Sequence, residues 1–276
     1  MGKLMLHKIK CVIKGGGDLA SGVAYSLFRA GFTVVILEIP HPTAVRRTVA
    51  FSTAVTDGFI DIEGVTARKC EVNELLTKIG FEPLNYIPVI VDPESACLTR
   101  LKPHVFIDAI VNKKNYGTKI TDAPFVMALG PGFTAGSDCH AVIETNRGHN
   151  LGRIIISGTA EENTGRPGGV MGHTFDRVLR NKKDGIFKTT HRIGDMVKRG
   201  DIIGYVNNYA FRSKIDGVIR GLLPDDFKVK YYTKIGDIDP RGDNAYCYSI
   251  SDKSRAIGRA ALEAVMVKLK EGLFTF

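Results

Sequence analysis

"IKCVIKGGGDLASGVAYSLFRAGFTVVILEIP", residues 9–40, decides how the amino-terminal half of this chain folds. Ile9 to Ile13 form a short apolar run suited to a strand buried on both faces, and Gly15-Gly16-Gly17 follow at once. Leu19, Val23, Ser26, Leu27 and Ala30 then recur at helical spacing until Gly31 ends the run, and "FTVVILE" reads as a second strand. Gly15-x-Gly17-x-x-Ala20 in that context fits a dinucleotide-type turn. The first glycine permits the tight turn, the second lets backbone approach a phosphate, and the small third residue lets helix and strand pack closely. Helix N–H groups and the positive dipole end face such an anion. Gly15, Gly16, Gly17, Asp18, Leu19 and Ala20 are therefore the first cofactor-binding candidates, with Glu38 at the end of the second strand as the acceptor for ribose hydroxyls. A glycine-rich turn without a ligand is the rival reading. Asp18 departs from a plain dinucleotide turn, because a carboxylate repels a pyrophosphate unless it caps the helix or holds a cation; capping is the expected role.

Outward from this unit the same rhythm continues. "PHPTAVRRTVAFSTAV" (40–55) predicts a short helix carrying Arg46 and Arg47, "GFIDIEGVTARKCEV" (58–72) an antiparallel hairpin, and "VNELLTKIG" (72–80) a short helix. "YIPVIVDP", "HVFIDAIV" and "APFVMALGPG" are compact apolar runs edged by breakers, hence buried strands. The expected architecture is α/β, a Rossmann-like, mainly parallel sheet over 1–147 with its ligand at the carboxyl ends of the strands. Asp92 and Asp108 near such ends are second-rank site candidates, each with a satisfied loop carboxylate as the alternative.

"GPGFTAGSDCHAVIETNR" (130–147) collects a second set. Gly130, Gly132 and Gly136 with Thr134 and Ser137 offer N–H and hydroxyl donors, a second anion cradle. Cys139 is a candidate catalytic thiol, soft and nucleophilic as thiolate, and equally a small buried hydrophobe. Asp138 and His140 flank it, although neighbours on an extended chain point to opposite faces. Arg147 suits a phosphate or carboxylate clamp with Glu144 as its partner, and a structural ion pair fits equally. His149 reads as a loop histidine.

The later chain repeats itself: "IGDMVKRGD" (193–201) and "IGDIDPRGD" (235–243) agree at six of nine positions. Each copy is read as a Gly-Asp turn ahead of a strand. The pattern GDxVxxGxxIGxV resembles the biotinyl/lipoyl modules, which implies a β-rich barrel-sandwich over 148–250. Lys214 sits where such modules present a carrier lysine, but Phe211-Arg212-Ser213 replaces the triplet required for biotin, and no lipoyl signature flanks it; covalent biotin or lipoate is not expected. "SDKSRAIGRAALEAVMVKLKEG" gives a carboxy-terminal helix over 251–276, capped by Ser251 or Asp252, that packs back on a domain or on a homodimer partner.

The bulk numbers narrow the function. With 276 residues, 44% hydrophobic and 24% charged, the chain suits two globular domains, and no apolar run approaches a membrane span. Five cysteines without a CxxC pair argue against a zinc site and against structural disulfides, so no metal ligands are assigned. No signal-peptide pattern opens the sequence, and a cytoplasmic location is expected. A net charge of +9 attracts small anions, while the lack of a dense basic run or recognition helix argues against nucleic acid as the main partner.

"VIKGGGDLASGVA", "LGPGFTAGSDCHAVIETNRGHNLGR", "NTGRPGG" and "IDGVIRGLL" with "KIGDIDPRGD" together resemble the YqeB family, accessory proteins found with selenium-dependent molybdenum hydroxylases. The amino-terminal half is also similar to the XdhC/CoxI maturation proteins. The resemblance implies a factor that matures such a hydroxylase, binding a molybdopterin dinucleotide or other nucleotide and assisting insertion of selenium or sulfur. Its partners would be the hydroxylase and its other maturation proteins. Two further functions stay open: an NAD(P)-dependent oxidoreductase and a noncatalytic scaffold.

Overall fold

The computed structural model describes residues 5–274, which form two compact units. The first takes the chain up to Pro42, Ala50–Asn163, and the residues from Ile250 onward; the second takes Thr43–Val49 and Thr164–Ser249.

The first unit is a mixed α/β layer built on a nine-stranded sheet. Its strands in chain order are β1 (Lys10–Lys14), β2 (Thr33–Glu38), β3 (Phe59–Ile62), β4 (Val65–Lys69), β5 (Ile87–Val91), β6 (Val105–Asp108) and β7 (Phe125–Leu129). β8 (Thr134–Ala135), β9 (Ala141–Ile143), β10 (Ile154–Ile155) and β11 (Gly158–Thr159) follow. The helices are α1 (Asp18–Arg29), α2 (Ala54–Asp57), α3 (Val72–Leu76), α4 (Leu98–Leu101) and α5 (Asp252–Lys270). Across the sheet the order is β10-β9-β7-β6-β1-β2-β5-β4-β3, with β8 and β11 paired separately. The interior pairings are parallel, and an antiparallel strand closes each edge, β3 on β4 and β10 on β9. The chain leaves β1 toward β2 and returns on its other side at β6, so strand order reverses between β1 and β6, where open α/β sheets bind ligands at the carboxyl ends.

Side chains of β1 alternate between two cores. Cys11 and Ile13 join α1 and α5 on one face, while Val12 joins Leu75 of α3 and Leu101 of α4 on the other. α1 and α5 cross at Gly22 and Gly258, where a Cβ on either glycine would run into the other helix's backbone. Glycine is needed here for close approach, and the contact docks the carboxy-terminal helix onto the first unit. The unit also extends past the expected 147 boundary to Asn163, because β10 joins the sheet and β11 pairs with β8.

The second unit carries two four-stranded antiparallel sheets on one core of Leu179, Phe187, Ile203, Val218, Leu222 and Ile238. Its strands are β12 (Val178–Arg180), β13 (Gly185–Lys188), β14 (Met196–Val197), β15 (Ile202–Val206), β16 (Tyr209–Arg212), β17 (Gly217–Leu222), β18 (Phe227–Val229) and β19 (Lys234–Asp239). One sheet runs β12-β19-β17-β14, the other β16-β15-β13-β18. Residues 43–49 belong here because Val45 O accepts from Leu222 N (2.8 Å), Arg47 Nε donates to Leu222 O (2.8 Å), and Arg46 donates to Tyr246 O and Ser249 O (3.0 Å each). The single helix expected over 40–55 is thereby broken into short turns at 47–49 and 51–53 before α2.

The two nonapeptides are not equivalent. Gly194-Asp195 forms a turn ahead of β14, as expected, with Gly194 at φ +103°. Gly236-Asp237 lies inside β19 instead. Asp237 is buried and ion-paired with Arg177 and Lys234, an environment no turn provides.

Candidate functional site

The glycine turn after β1 is wired into its own unit at two of three glycines. Gly15, at φ +95°, donates to Leu37 O (2.7 Å), and a Cβ there would stand 3.2 Å from Ile110 N. Gly16 N donates to Glu38 Oε2 (2.8 Å), while Gly16 O accepts from Ser52 N (2.9 Å) and Ser21 Oγ (3.2 Å). Gly17 differs: its φ is an ordinary −69° and a Cβ would meet nothing within 4 Å. It is the N-cap of α1, and no side chain caps that helix. The positive end of α1 therefore opens beside a glycine whose Cβ position is empty.

Asp18 therefore does not cap the helix, contrary to expectation. It is the first helical residue, and its Oδ1 accepts from Ser254 Oγ (2.7 Å) of α5, with its charge placed favourably at the helix's positive end. Glu38 Oε1 accepts from Ile39 N (2.7 Å), and burial, opposed by the bonds from Ile39 and Gly16, raises the carboxyl pKa above its usual range. Each carboxylate oxygen holds a second acceptor site, so Glu38 keeps capacity for a diol.

Beside this turn, the strand reversal is marked by groups that sequence reasoning ranked low or missed. Asp108 is buried; its Oδ2 accepts from Thr118 Oγ1 (2.7 Å) and its Oδ1 from Ile110 N (3.2 Å). Burial raises its pKa, while Thr118, Ile110 and Lys14 oppose the rise. Lys14, its register partner on β1, is also buried and donates to Tyr116 O (3.1 Å). Lys253, half-buried in the first turn of α5, is held below the usual lysine range by burial and by Arg147, with Asp18 and Glu144 pulling the other way. The signal that could have found Lys253 is its place right after the Ser251 N-cap, but only packing of α5 on α1 brings it to Asp18. Asp92 is explained locally: its oxygens accept from Ala96 N (3.0 Å) and Cys97 N (2.8 Å), a loop staple.

The stretch 130–147 does not lie on one edge of the sheet. β7 and β9 are parallel, so Gly130 and Glu144 lie at the carboxyl edge with Gly15–Gly17, whereas the chain between them crosses back to the amino edge. There His140 N donates to Val126 O (2.8 Å) and Val126 N donates to His140 Nδ1 (3.0 Å), which makes that nitrogen an acceptor. Burial and Lys268 lower the pKa of His140. Asp138 Oδ2 accepts from Thr134 N (2.8 Å) and closes the β8 turn, so Thr134 directs its N–H inward to the protein. Cys139 is fully buried in the second core, and burial, aided by Asp138, pushes its thiol up to about 12. A thiol in that setting is a packing group rather than a nucleophile, and a three-residue strand separates the Asp138–His140 cluster from the carboxyl edge.

Gly130 and Gly132 approach their own chain, whereas a Cβ on Gly136, at φ +90°, would meet nothing within 4 Å. A Cβ on Gly132 would stand 2.6 Å from the Lys113–Lys114 backbone, and one on Gly130 2.5 Å from Thr145 Oγ1. Glu144 is buried and accepts from Asn146 N (2.6 Å) and Glu161 N (2.7 Å), so it is not the partner of Arg147. Arg147 instead grips Asp252 of α5 with two bonds (2.7 and 2.9 Å). A concavity of about 430 Å³ begins at Glu144 and runs along Asn150, Arg153, Ile154–Ser157, Thr159 and Glu161. Among the described residues no three His, Cys, Asp or Glu side chains gather as metal ligands, and no helix is long and apolar enough to cross a membrane.

No established family profile matches the chain. It is 51% identical over 265 residues to the uncharacterized protein YqeB of Escherichia coli K12, a likeness that covers 95% of the chain and supports membership of the YqeB family. The chain spans about half of that relative, 48% of its length. Among solved structures, an aspartoacylase family protein from Mesorhizobium loti aligns at 12% identity over 83% of this chain and 84% of its own, with a TM-score of 0.27. The ectoine utilization protein EutE (DoeB) from Ruegeria pomeroyi aligns at 12% identity over 83% and 85%, with a TM-score of 0.24.

Proposed function

We propose that the carboxyl edge of the large sheet binds a nucleotide through its phosphates at the amino terminus of α1, and that the chain serves as an accessory factor in maturation of selenium-dependent molybdenum hydroxylases. The observation that carries the binding site is Gly17: it is uncapped, open, and placed where strand order reverses between β1 and β6. Glu38 retains acceptor capacity for a ribose, and Lys253 adds positive charge nearby. The ligand and the hydroxylase follow from the family resemblance, with a molybdopterin dinucleotide as the nucleotide and the hydroxylase with its maturation proteins as partners. In this reading the first unit is a Rossmann-like module in the cytoplasm. The second is a barrel-sandwich, to which its paired antiparallel sheets on one core lend support. Cys139 has no part in it.

Calorimetry with a pterin dinucleotide, NAD and ADP tests the binding site. Gly17→Asp should abolish binding with little change in melting temperature, because the new side chain enters open space and places a carboxylate where phosphate sits. Absence of binding by any of the three ligands overturns the reading. Hydride transfer with a nicotinamide absorbance change would instead favour an oxidoreductase.

A further inference from the structure

Charge is divided unevenly between the two units. The second carries 18 Lys and Arg against 10 Asp and no Glu, whereas the first carries 20 against 19, so nearly all of the net +9 belongs to the second. Within it, Arg180, Lys182, Lys183 and Lys230 are exposed, and among the described residues none is paired with a carboxylate, whereas Lys188 and Lys234 are paired with Asp226 and Asp237. Two exposed tyrosines stand among the four, Tyr231 at 69% and Tyr232 at 57% exposure.

The loops that present these groups are fixed. Buried Asn181 donates through Nδ2 to Lys183 O (2.7 Å) and Lys230 O (2.5 Å), and its backbone N donates to Thr233 O (3.0 Å). Asp184 Oδ1 accepts from Tyr231 N (2.6 Å). Arg180 lies 4.8 Å over the Tyr232 ring and donates to Tyr232 O (3.1 Å), while Lys182 lies 5.5 Å over Tyr209. Tyr232 is held at φ +66°, a conformation that a bulky residue adopts only under strain. A strained, solvent-facing tyrosine held beside Arg180, on loops that Asn181 ties together, suits a docking surface, since preorganised groups lose little entropy on binding.

We infer that the patch formed by Arg180, Lys182, Lys183, Lys230, Tyr231 and Tyr232 docks an acidic segment of a partner protein. Tyrosine and arginine at the centre of a surface are the residue types that anchor protein interfaces. Single-stranded nucleic acid asks for open aromatic faces along a groove, whereas Arg180 here already lies over the Tyr232 ring. The inference does not depend on the nucleotide site, which lies in the other unit.

Fluorescence anisotropy on the full chain tests it, with a labelled Asp/Glu-rich peptide and an oligothymidylate of equal charge as probes. The peptide should bind at low salt, and the K182E/K183E/K230E variant should bind it at least about tenfold more weakly, as expected when several anchoring charges reverse. K188E, outside the patch, should leave binding within about twofold. Y231A/Y232A, which removes no charge, should also weaken binding, and melting curves confirm that each variant is folded. Failure of the peptide to bind overturns the inference, as does equal loss in K188E and the triple variant. Tighter binding of the oligothymidylate, lost in the triple variant, overturns it in favour of nucleic acid.

Discussion

The turns that end β1 and β7 are both rich in glycine and both lie at the carboxyl edge of one sheet, yet they use glycine for different purposes. In the second turn every close approach is to the protein itself: Gly130 against Thr145, Gly132 against the Lys113–Lys114 backbone. In the first, Gly15 and Gly16 are likewise packed against Ile110 and Ser52, but Gly17 faces open space at the end of a helix. A glycine with an ordinary φ and nothing near it has no architectural duty. Its smallness then matters only to something that arrives.

Substitutions can break that contrast. Gly132→Val should have the largest effect, roughly 3 kcal/mol of destabilisation from a clash with backbone at positive φ, read as a shifted urea midpoint at unchanged slope. Gly16→Ala should cost roughly 2 kcal/mol, because its Cβ would stand 2.9 Å from Ser52 N and that bond would have to move. Gly17→Ala should change stability by less than about 0.5 kcal/mol while weakening nucleotide binding, and a large loss of stability would remove the contrast.

A smaller effect sharpens the role of Cys139. Its thiol pKa is raised in the fold, so the unfolded chain ionises first as pH climbs. The associated stability is complete below the unfolded value near 9 and is lost as pH rises toward about 12. Cys139→Ala should flatten part of that alkaline decline in a pH series of urea melts. In the native protein at neutral pH, Cys139 should resist alkylation until denaturant is added.

Much of the first unit was legible in the residues. Strand, glycine turn, helix and strand over 9–40 follow from periodicity and breakers, because those signals are local. The hairpin at 58–72 and the helix after Ser251 were readable for the same reason. The 130–147 stretch was misread because sequence adjacency hides strand direction: once β9 runs parallel to β7, residues a few positions apart lie on opposite sheet edges. The second nonapeptide was misread because Asp237 finds Arg177 far away in the chain, and that ion pair outweighs the turn preference of Gly-Asp. Arg147 found Asp252 rather than Glu144 through the docking of α5, which depends on two glycines far apart in sequence.

By itself the sequence determined the elements, their α/β character and the glycine turn with its acid, since propensity, periodicity and turn chemistry act within a few residues. The tertiary structure alone decided which glycines face open space, which carboxylates are consumed by backbone, and that Lys253 stands near Asp18. It also joined the loops at 180–183 and 230–232 through the side chain of Asn181. Those outcomes rest on contacts between distant segments, and burial and packing at such contacts set the chemistry each side chain retains.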